Sequence, residues 1–506
     1  MQIGATLTSD NLYREPYRPQ FHFSPARNWM NYPNGLVYYA GEYHLYFQCN
    51  PDGLDWDWRK LHWGHAISTD LLHWREFPLA VFPDAVGTIL SGSVVVDIEN
   101  TAVFKTGADN PLIAIYTSGS EGNIQHPWDA FQQQSVAFSN DRGRTWTQYD
   151  GNPVIPNPGL ADFRDPKVFW HAPSEAWVMV LAAGDRVRFY QSLNLKSWTQ
   201  VGEFGADCGA HGGPWECPDL FPLAVQGGPG SRWVLIVSGQ RGGTLPRSGT
   251  QYFVGQFDGR TYTNDNPAGL ILWLDHGPDN NAGATWSNIP SADARRLFIG
   301  WMSGANRGPT WPWRGTMTVP RELRLEMIRG QVRLVQNPVR ELVSLRQKAR
   351  EWHNEVVGPS DNLLSGLRGE QYEIVAEFSL EAARATQFGF RLRSVSGQGL
   401  TIACDLVNRR LILDRSSAGS ATLQTLVGTS AIDEVSHNPT GAVLKLHILV
   451  DSSSVEVFAN DGEVAMTACF FPEPEATGVE LYALDGTVRL NRLAFYPLSS
   501  ATPATD

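Results

Sequence analysis

Four times along this chain a polar turn closes on an aromatic residue: Ser68-Thr69-Asp70-Leu71-Leu72-His73-Trp74, Ser139-Asn140-Asp141-Arg142-Gly143-Arg144-Thr145-Trp146, Ser192-Leu193-Asn194-Leu195-Lys196-Ser197-Trp198 and, more weakly, Phe257-Asp258-Gly259-Arg260-Thr261-Tyr262. Each copy reads as a strand end, a turn and an aromatic on the returning strand, as in a hairpin at the edge of a sheet. The closing aromatics are 72, 52 and 64 residues apart. That is too irregular for a solenoid but suits four-stranded blades joined by loops of variable length. Short runs of β-formers fill the intervals, among them Leu36 to Tyr39, Tyr43 to Phe47, Leu112 to Tyr116, Trp177 to Leu181 and Trp233 to Val237, between clusters of Gly, Pro, Asn and Asp. The chain is all-β, and its first part is expected to be a β-propeller.

The repeat stops near residue 336. Val339, Leu342, Leu345 and Ala349 then recur at helical spacing among Arg, Glu and Lys, which predicts a linker helix over residues 337–358. Strand patterns return from about Leu363 to Pro497 without the turn repeat, with alternation in Leu444 to Ile448 and Ser454 to Val457, so a second all-β module, a β-sandwich, is expected. The organisation is thus an arm over 1–19 carrying Pro16 and Pro19, a propeller over 20–336, the linker, a sandwich over 359–498 and a tail over 499–506. A chain of 506 residues exceeds what one hydrophobic core organises, which agrees with two domains.

With 40 basic and 52 acidic residues the net charge is -12, so the chain has no excess of positive charge for a phosphate backbone, and nucleic acid is not an expected partner. No apolar run approaches the roughly 18 to 20 residues of a membrane-spanning helix, so no membrane partner is expected. Residues 1 to 10 lack the basic start and apolar core of a signal peptide, which is compatible with a cytoplasmic chain or with a leader already removed. The five cysteines are odd in number and scattered, and read as buried thiols rather than a disulfide framework. A metal is not expected either. His62 and His65 lie in a strand-like run that points them to opposite faces, with few other ligand-type residues nearby.

Three stretches concentrate chemistry. Asn28-Trp29-Met30-Asn31-Tyr32-Pro33-Asn34-Gly35 sets stacking, amide and turn-forming side chains side by side. In Phe163-Arg164-Asp165-Pro166 a charged pair precedes a proline that restricts the backbone. In Pro214-Trp215-Glu216-Cys217-Pro218-Asp219 a carboxyl group is flanked by prolines, an indole and a thiol, surroundings that desolvate it and favour its protonated form. Taken singly, the second is equally an ordinary surface ion pair and the third a loop residue beside a turn.

Taken together and in this order, the three stretches resemble motifs of glycoside hydrolase family 32, the invertases, inulinases and levanases that act on fructose units. The resemblance spans roughly residues 20 to 498 and implies a five-bladed propeller followed by a sandwich. It also implies cleavage of β-fructofuranosyl bonds with retention, two carboxyl groups flanking the scissile bond, no cofactor, and a small or polymeric fructoside as partner. Glu216 would be the general acid/base, Asp165 the transition-state stabiliser, and Arg164 would orient the carboxylates. Asn31, Gln48, Trp56, Ser91 and Trp313 would contact sugar, the last by the likeness of Trp311-Pro312-Trp313-Arg314-Gly315 to a family segment. Amides and indoles suit a furanose, which offers hydroxyls and a small apolar face. Relatives of this kind are typically extracellular.

The chain departs from the pattern at Cys49, at Leu90, in the loop around Trp58 to Lys60 and, above all, at Tyr32, which stands where the family places its attacking carboxylate. Ionising a phenol of pKa about 10 at pH 7 costs about 4 kcal/mol, whereas a carboxylate is already ionised. Three readings remain open at this stage: a glycosidase or transferase that works with Tyr32, a fructan-binding relative that has lost turnover, and a propeller used only as an interaction platform.

Overall fold

The structure is a computed structural model and describes residues 12–121, 131–239, 249–360, 362–381, 383–419, 427–431 and 443–502. Five groups of four antiparallel strands follow one another in chain order, each counted as one sheet; the short strand Trp313–Arg314 adds in parallel to the first, and the fourth and fifth join through the parallel pairing of Val225 with Leu325 into a single nine-stranded sheet that includes Leu272–Trp273. Their first strands are Asn28–Tyr39, Thr88–Val96, Phe163–His171, Trp215–Gln226 and Asn281–Thr285. The first strand of each sheet packs against the first strand of the next, and the fifth returns against the first.

This arrangement explains why several runs are apolar at every position. A strand buried on both faces reads as a continuous hydrophobic run rather than an alternating one. Ile113 and Ile115 pack toward the third sheet, while Leu112, Ala114 and Tyr116 of the same strand pack toward the first. Val178 and Val180 face the fourth sheet, and Met179 and Leu181 face the second.

The four polar turns occupy one equivalent place, between the third and fourth strands of the first four sheets. Asp70 Oδ1 accepts the amides of Leu72 and His73 at 3.0 and 2.9 Å, and the Trp74 indole donates to the Leu71 carbonyl at 3.1 Å. Asn194 and Trp198 repeat this arrangement in the third sheet. The side-chain oxygen mimics a turn carbonyl, which fixes these hairpins locally.

Residues 350 onward form two further sheets, one of six strands from Arg350–Val357 to Val464–Cys469 and one of five from Gln387–Val395 to Gly478–Leu484. They face each other over a single apolar cluster that includes Ile374, Phe378, Phe388, Phe390, Ile448 and Leu481. The linker helix expected over 337–358 does not form. The strand Gln331–Pro338 runs into a short 3-10 helix, Arg340–Leu345, and Arg350–Val357 is a strand. Val339, Leu342 and Leu345 are three apart, the period of a 3-10 helix, and all three are buried. The β-formers that follow pair with the last strand, Arg350 opposite Phe495.

A buried ionic network joins the two halves. His22 bridges Asp451 (2.7 Å) and Glu456 (2.8 Å), both in the second half. Arg321 of the fifth sheet bonds Glu456 and, at 3.1 Å, Asp275. The arm lies on the body where it is described: Tyr13 donates to Glu76 at 2.8 Å, and Arg18 is buried against Glu15, Ser24 and the Trp313 ring.

Candidate active site

The same irregularity appears in the innermost strand of every sheet. Two residues oppose one on the neighbouring strand: Asn31 and Tyr32 opposite Gln48, Leu90 and Ser91 opposite Thr117, Asp165 and Pro166 opposite Leu181, Cys217 and Pro218 opposite Val237, Ala282 and Gly283 opposite Gly300. These are β-bulges, which bend a strand and re-aim its side chains. Pro33, Pro166 and Pro218 fall at or beside three of them, where a missing amide donor breaks no ladder bond. Asp165 has φ +66° and Cys217 φ +47°, left-handed values that L-residues adopt at a cost of about 1–2 kcal/mol each. Strain thus gathers around the carboxylates.

The bulges open onto a cavity of about 520 Å³ lined by Asn31, Tyr32, Gln48, Trp56, Ser91, Arg164, Asp165 and Glu216. Glu216 and Asp165 are both buried. Arg164 holds Glu216 Oε1 through Nε (3.3 Å) and Nη2 (3.1 Å), lies 3.9 Å from Asp165 Oδ2, and bonds Asp162 on its outer side. Asp165 Oδ2 accepts the Cys217 amide at 2.9 Å, while the Asp165 amide donates to Thr117 Oγ1 at 2.9 Å. Each carboxylate is therefore fixed from a neighbouring sheet. Gln48 Nε2 donates to Ser91 Oγ at 3.0 Å, and Asn31 Oδ1 is buried without a hydrogen-bond partner among the described residues. An unpaired buried amide oxygen is costly unless something donates to it, and a sugar hydroxyl is a suitable donor.

Burial pushes the Asp165 carboxyl up to about 6; Arg164 opposes the rise and the Glu216 charge adds to it. Tyr32 sits on the cavity floor, its ring edge-on to Trp301 at 5.3 Å and its hydroxyl donating to Glu216 Oε2 at 3.2 Å. Burial, then the charge of Glu216 and the neighbouring Cys217 and Asp165, drive its phenol well above its ordinary value, while Arg164 opposes the rise. Forming a phenolate here costs more than for a free phenol.

One expectation needs correction. Trp313 does not line the cavity; it is fully buried, 4.5 Å beneath the Arg18 guanidinium, and bridges in parallel to Asn28. The segment around it underpins the first strand: Gly315 (φ +101°) lies so close that a Cβ there would meet the Met30 carbonyl oxygen at 2.2 Å. Trp56, by contrast, is at the rim and 53% exposed. The sequence reading also missed Trp58, Gln132, Asp162, Trp301 and Asn306, all of which line the cavity. Gln132 belongs to a run of three glutamines in the strand Phe131–Ser139, an unusually polar run for a buried strand and the one signal that pointed to it.

Residues 22–338 match the N-terminal domain of glycosyl hydrolases family 32, and residues 341–497 match the C-terminal domain of the same family. The chain belongs to glycoside hydrolase family 32. Among family members, a levanase from Bacillus subtilis is 49% identical over 510 residues, covering 100% of this chain and 74% of the levanase. An extracellular exo-inulinase from Aspergillus awamori is 38% identical, covering 99% of this chain and 97% of its own length. The crystal structure of the exo-inulinase from Aspergillus awamori superposes with a TM-score of 0.87 at 36% identity, covering 97% of this chain and 99% of that one. As a member of family 32 the chain is a glycoside hydrolase by lineage, and its cavity holds two buried carboxyl groups, Asp165 and Glu216, with the Tyr32 phenol bonded to the second.

Proposed function

We propose that this chain acts on β-fructofuranosyl bonds of fructans, fructo-oligosaccharides or sucrose, at the cavity between the five sheets, with Tyr32 holding its turnover far below what the scaffold allows. The carrying observation is that Glu216, Arg164 and Asp165 meet in one cavity with Tyr32 bonded to Glu216. In this reading the five sheets are the blades of a propeller, residues 359–498 form a β-sandwich, and Glu216 delivers a proton to the leaving oxygen. Asp165 and Arg164 stabilise the oxocarbenium-like transition state, and Asn31, Gln48, Ser91 and Trp56 bind the sugar. The name of the exo-inulinase relative supports an extracellular setting.

Tyr32 stands in the attacking position, but its phenol is buried, neutral and committed to Glu216. The same observation favours a second reading, a fructoside-binding relative without turnover. Product formation from sucrose, inulin and levan, measured across acid to mildly alkaline pH beside the Tyr32→Asp variant, separates the two. A gain of at least about 100-fold in the variant, equivalent to about 2.7 kcal/mol of barrier, is expected, and a Tyr32→Phe variant should stay within a few-fold of the unaltered chain. A loss of activity on Tyr32→Asp would overturn the inhibitory role of Tyr32. Inactivity of both chains, with sugar still bound, would leave only the binding reading.

A further inference from the structure

The innermost strands have two ends. The bulges stand near one, and a second cavity of about 570 Å³, no smaller than the first, stands at the other. Its walls include Trp170, Trp177 and Trp233, and its floor Lys167, Asp219 and Arg296. Trp170 is 45% exposed, and the Trp177 ring braces it edge-on at 5.3 Å. An indole held rigidly with an open face is a stacking platform.

The polar groups of the floor are incompletely paired. Asp219 is buried and uses one oxygen for everything: Oδ2 takes the Thr285 amide (2.7 Å), the Thr285 hydroxyl (2.8 Å) and the Lys167 ammonium (2.9 Å). Its Oδ1 has no hydrogen-bond partner among the described residues. The Arg296 guanidinium lies 4.8 Å over the Phe221 ring, within reach of the Asp219 charge, and makes no side-chain hydrogen bond or ion pair among the described residues. A buried acceptor without a donor and a partly exposed guanidinium thus share one cavity with an exposed indole.

We propose that this second cavity binds a neutral polyhydroxylated ring, a fructosyl unit of a fructan or fructo-oligosaccharide, as a non-catalytic holding site. Hydroxyl groups both donate and accept, so one diol serves Asp219 and Arg296 together, while the ring's C–H face lies on Trp170. An anionic ligand meets the Asp219 carboxylate, and a purely apolar one leaves both polar groups unpaired. The site rests on the fructoside reading for its ligand class, and it gives a polymer-active chain a second grip whose effect is to raise the local concentration of substrate.

The test is the stoichiometry of binding of a β-2,1-linked fructotetraose by titration calorimetry, to the full chain and to Trp170→Ala, Arg296→Gln and Asp165→Ala. Two sites are expected. Trp170→Ala and Arg296→Gln should each weaken one of them at least tenfold and leave sucrose turnover, in the Tyr32→Asp background, unchanged. A single site that Asp165→Ala removes and Trp170→Ala spares overturns this inference and leaves the proposed function standing. A single site removed by Trp170→Ala and untouched by Asp165→Ala supports the inference and counts against the placement of the catalytic cavity. Absence of binding overturns both.

Discussion

At Asp165 the costs of making a site are visible in one residue. It carries a left-handed backbone, is buried beside Glu216, and is pushed up to about 6. A carboxyl whose folded value lies above its unfolded one adds stability at low pH and loses it as pH rises from about 4 through about 6. At pH 7 its charge therefore opposes folding, by about 1–3 kcal/mol on a shift of this size. Asp165→Asn keeps an acceptor for the Cys217 amide, so it should raise Tm by a few degrees at pH 7 while abolishing turnover in the Tyr32→Asp background. The Tm advantage should vanish below pH 4. Thermal unfolding of both chains across pH 3–8 reads this directly. Three motif carboxylates and amides, Asp165, Glu216 and Asn31, were legible because each lies in a short stretch with its own proline or indole signature. Trp301 and Asn306 were not, since they enter the cavity only through the closure of the fifth sheet on the first.

Among the elements, what was legible was what is local. The Ser-x-Asp turns carry their own hydrogen bonds within a few residues, so the sequence shows them directly. The 337–358 segment misled because its partner in pairing, the strand ending at Pro497, lies some 140 residues further along and no local pattern announces it. Trp313 misled for a related reason: its short segment supports the first strand from below, a role set by tertiary packing. That support is open to test at Gly315. A Cβ there meets Met30 backbone in a conformation L-residues disfavour, so Gly315→Ala should cost at least about 2 kcal/mol. Because Met30 precedes Asn31, fructoside affinity should fall as well; chemical denaturation and calorimetry on the same preparation measure the two losses.

For the whole molecule, the decisive contacts are the buried charges between the halves. Burial alone would depress His22, but its hydrogen bonds to Asp451 and Glu456 and their charges carry it up to about 9. Asp451 and Glu456 are held below their ordinary values by His22 and Arg321 despite burial. His22 therefore contributes stability that is complete below about 6.5 and lost as pH rises through about 9, of the order of 3 kcal/mol. The carboxylates contribute above about 4.5 and lose it on acidification. A stability plateau between about pH 5 and 7 is expected, and His22→Gln should flatten the alkaline fall in Tm while lowering the plateau itself. An unchanged alkaline limb in that variant would show that His22 is neutral in the folded chain.

The five matching bulges also bear on how the chain can change in length. In a regular strand, one residue gained or lost turns every later side chain to the opposite face. A strand that already carries an unpaired residue can take up the change at that point, leaving the ladder on either side in step. Insertions and deletions at the height of the cavity can thus be absorbed where they occur, so the spacing of cavity-lining residues can change while the packed outer strands keep theirs.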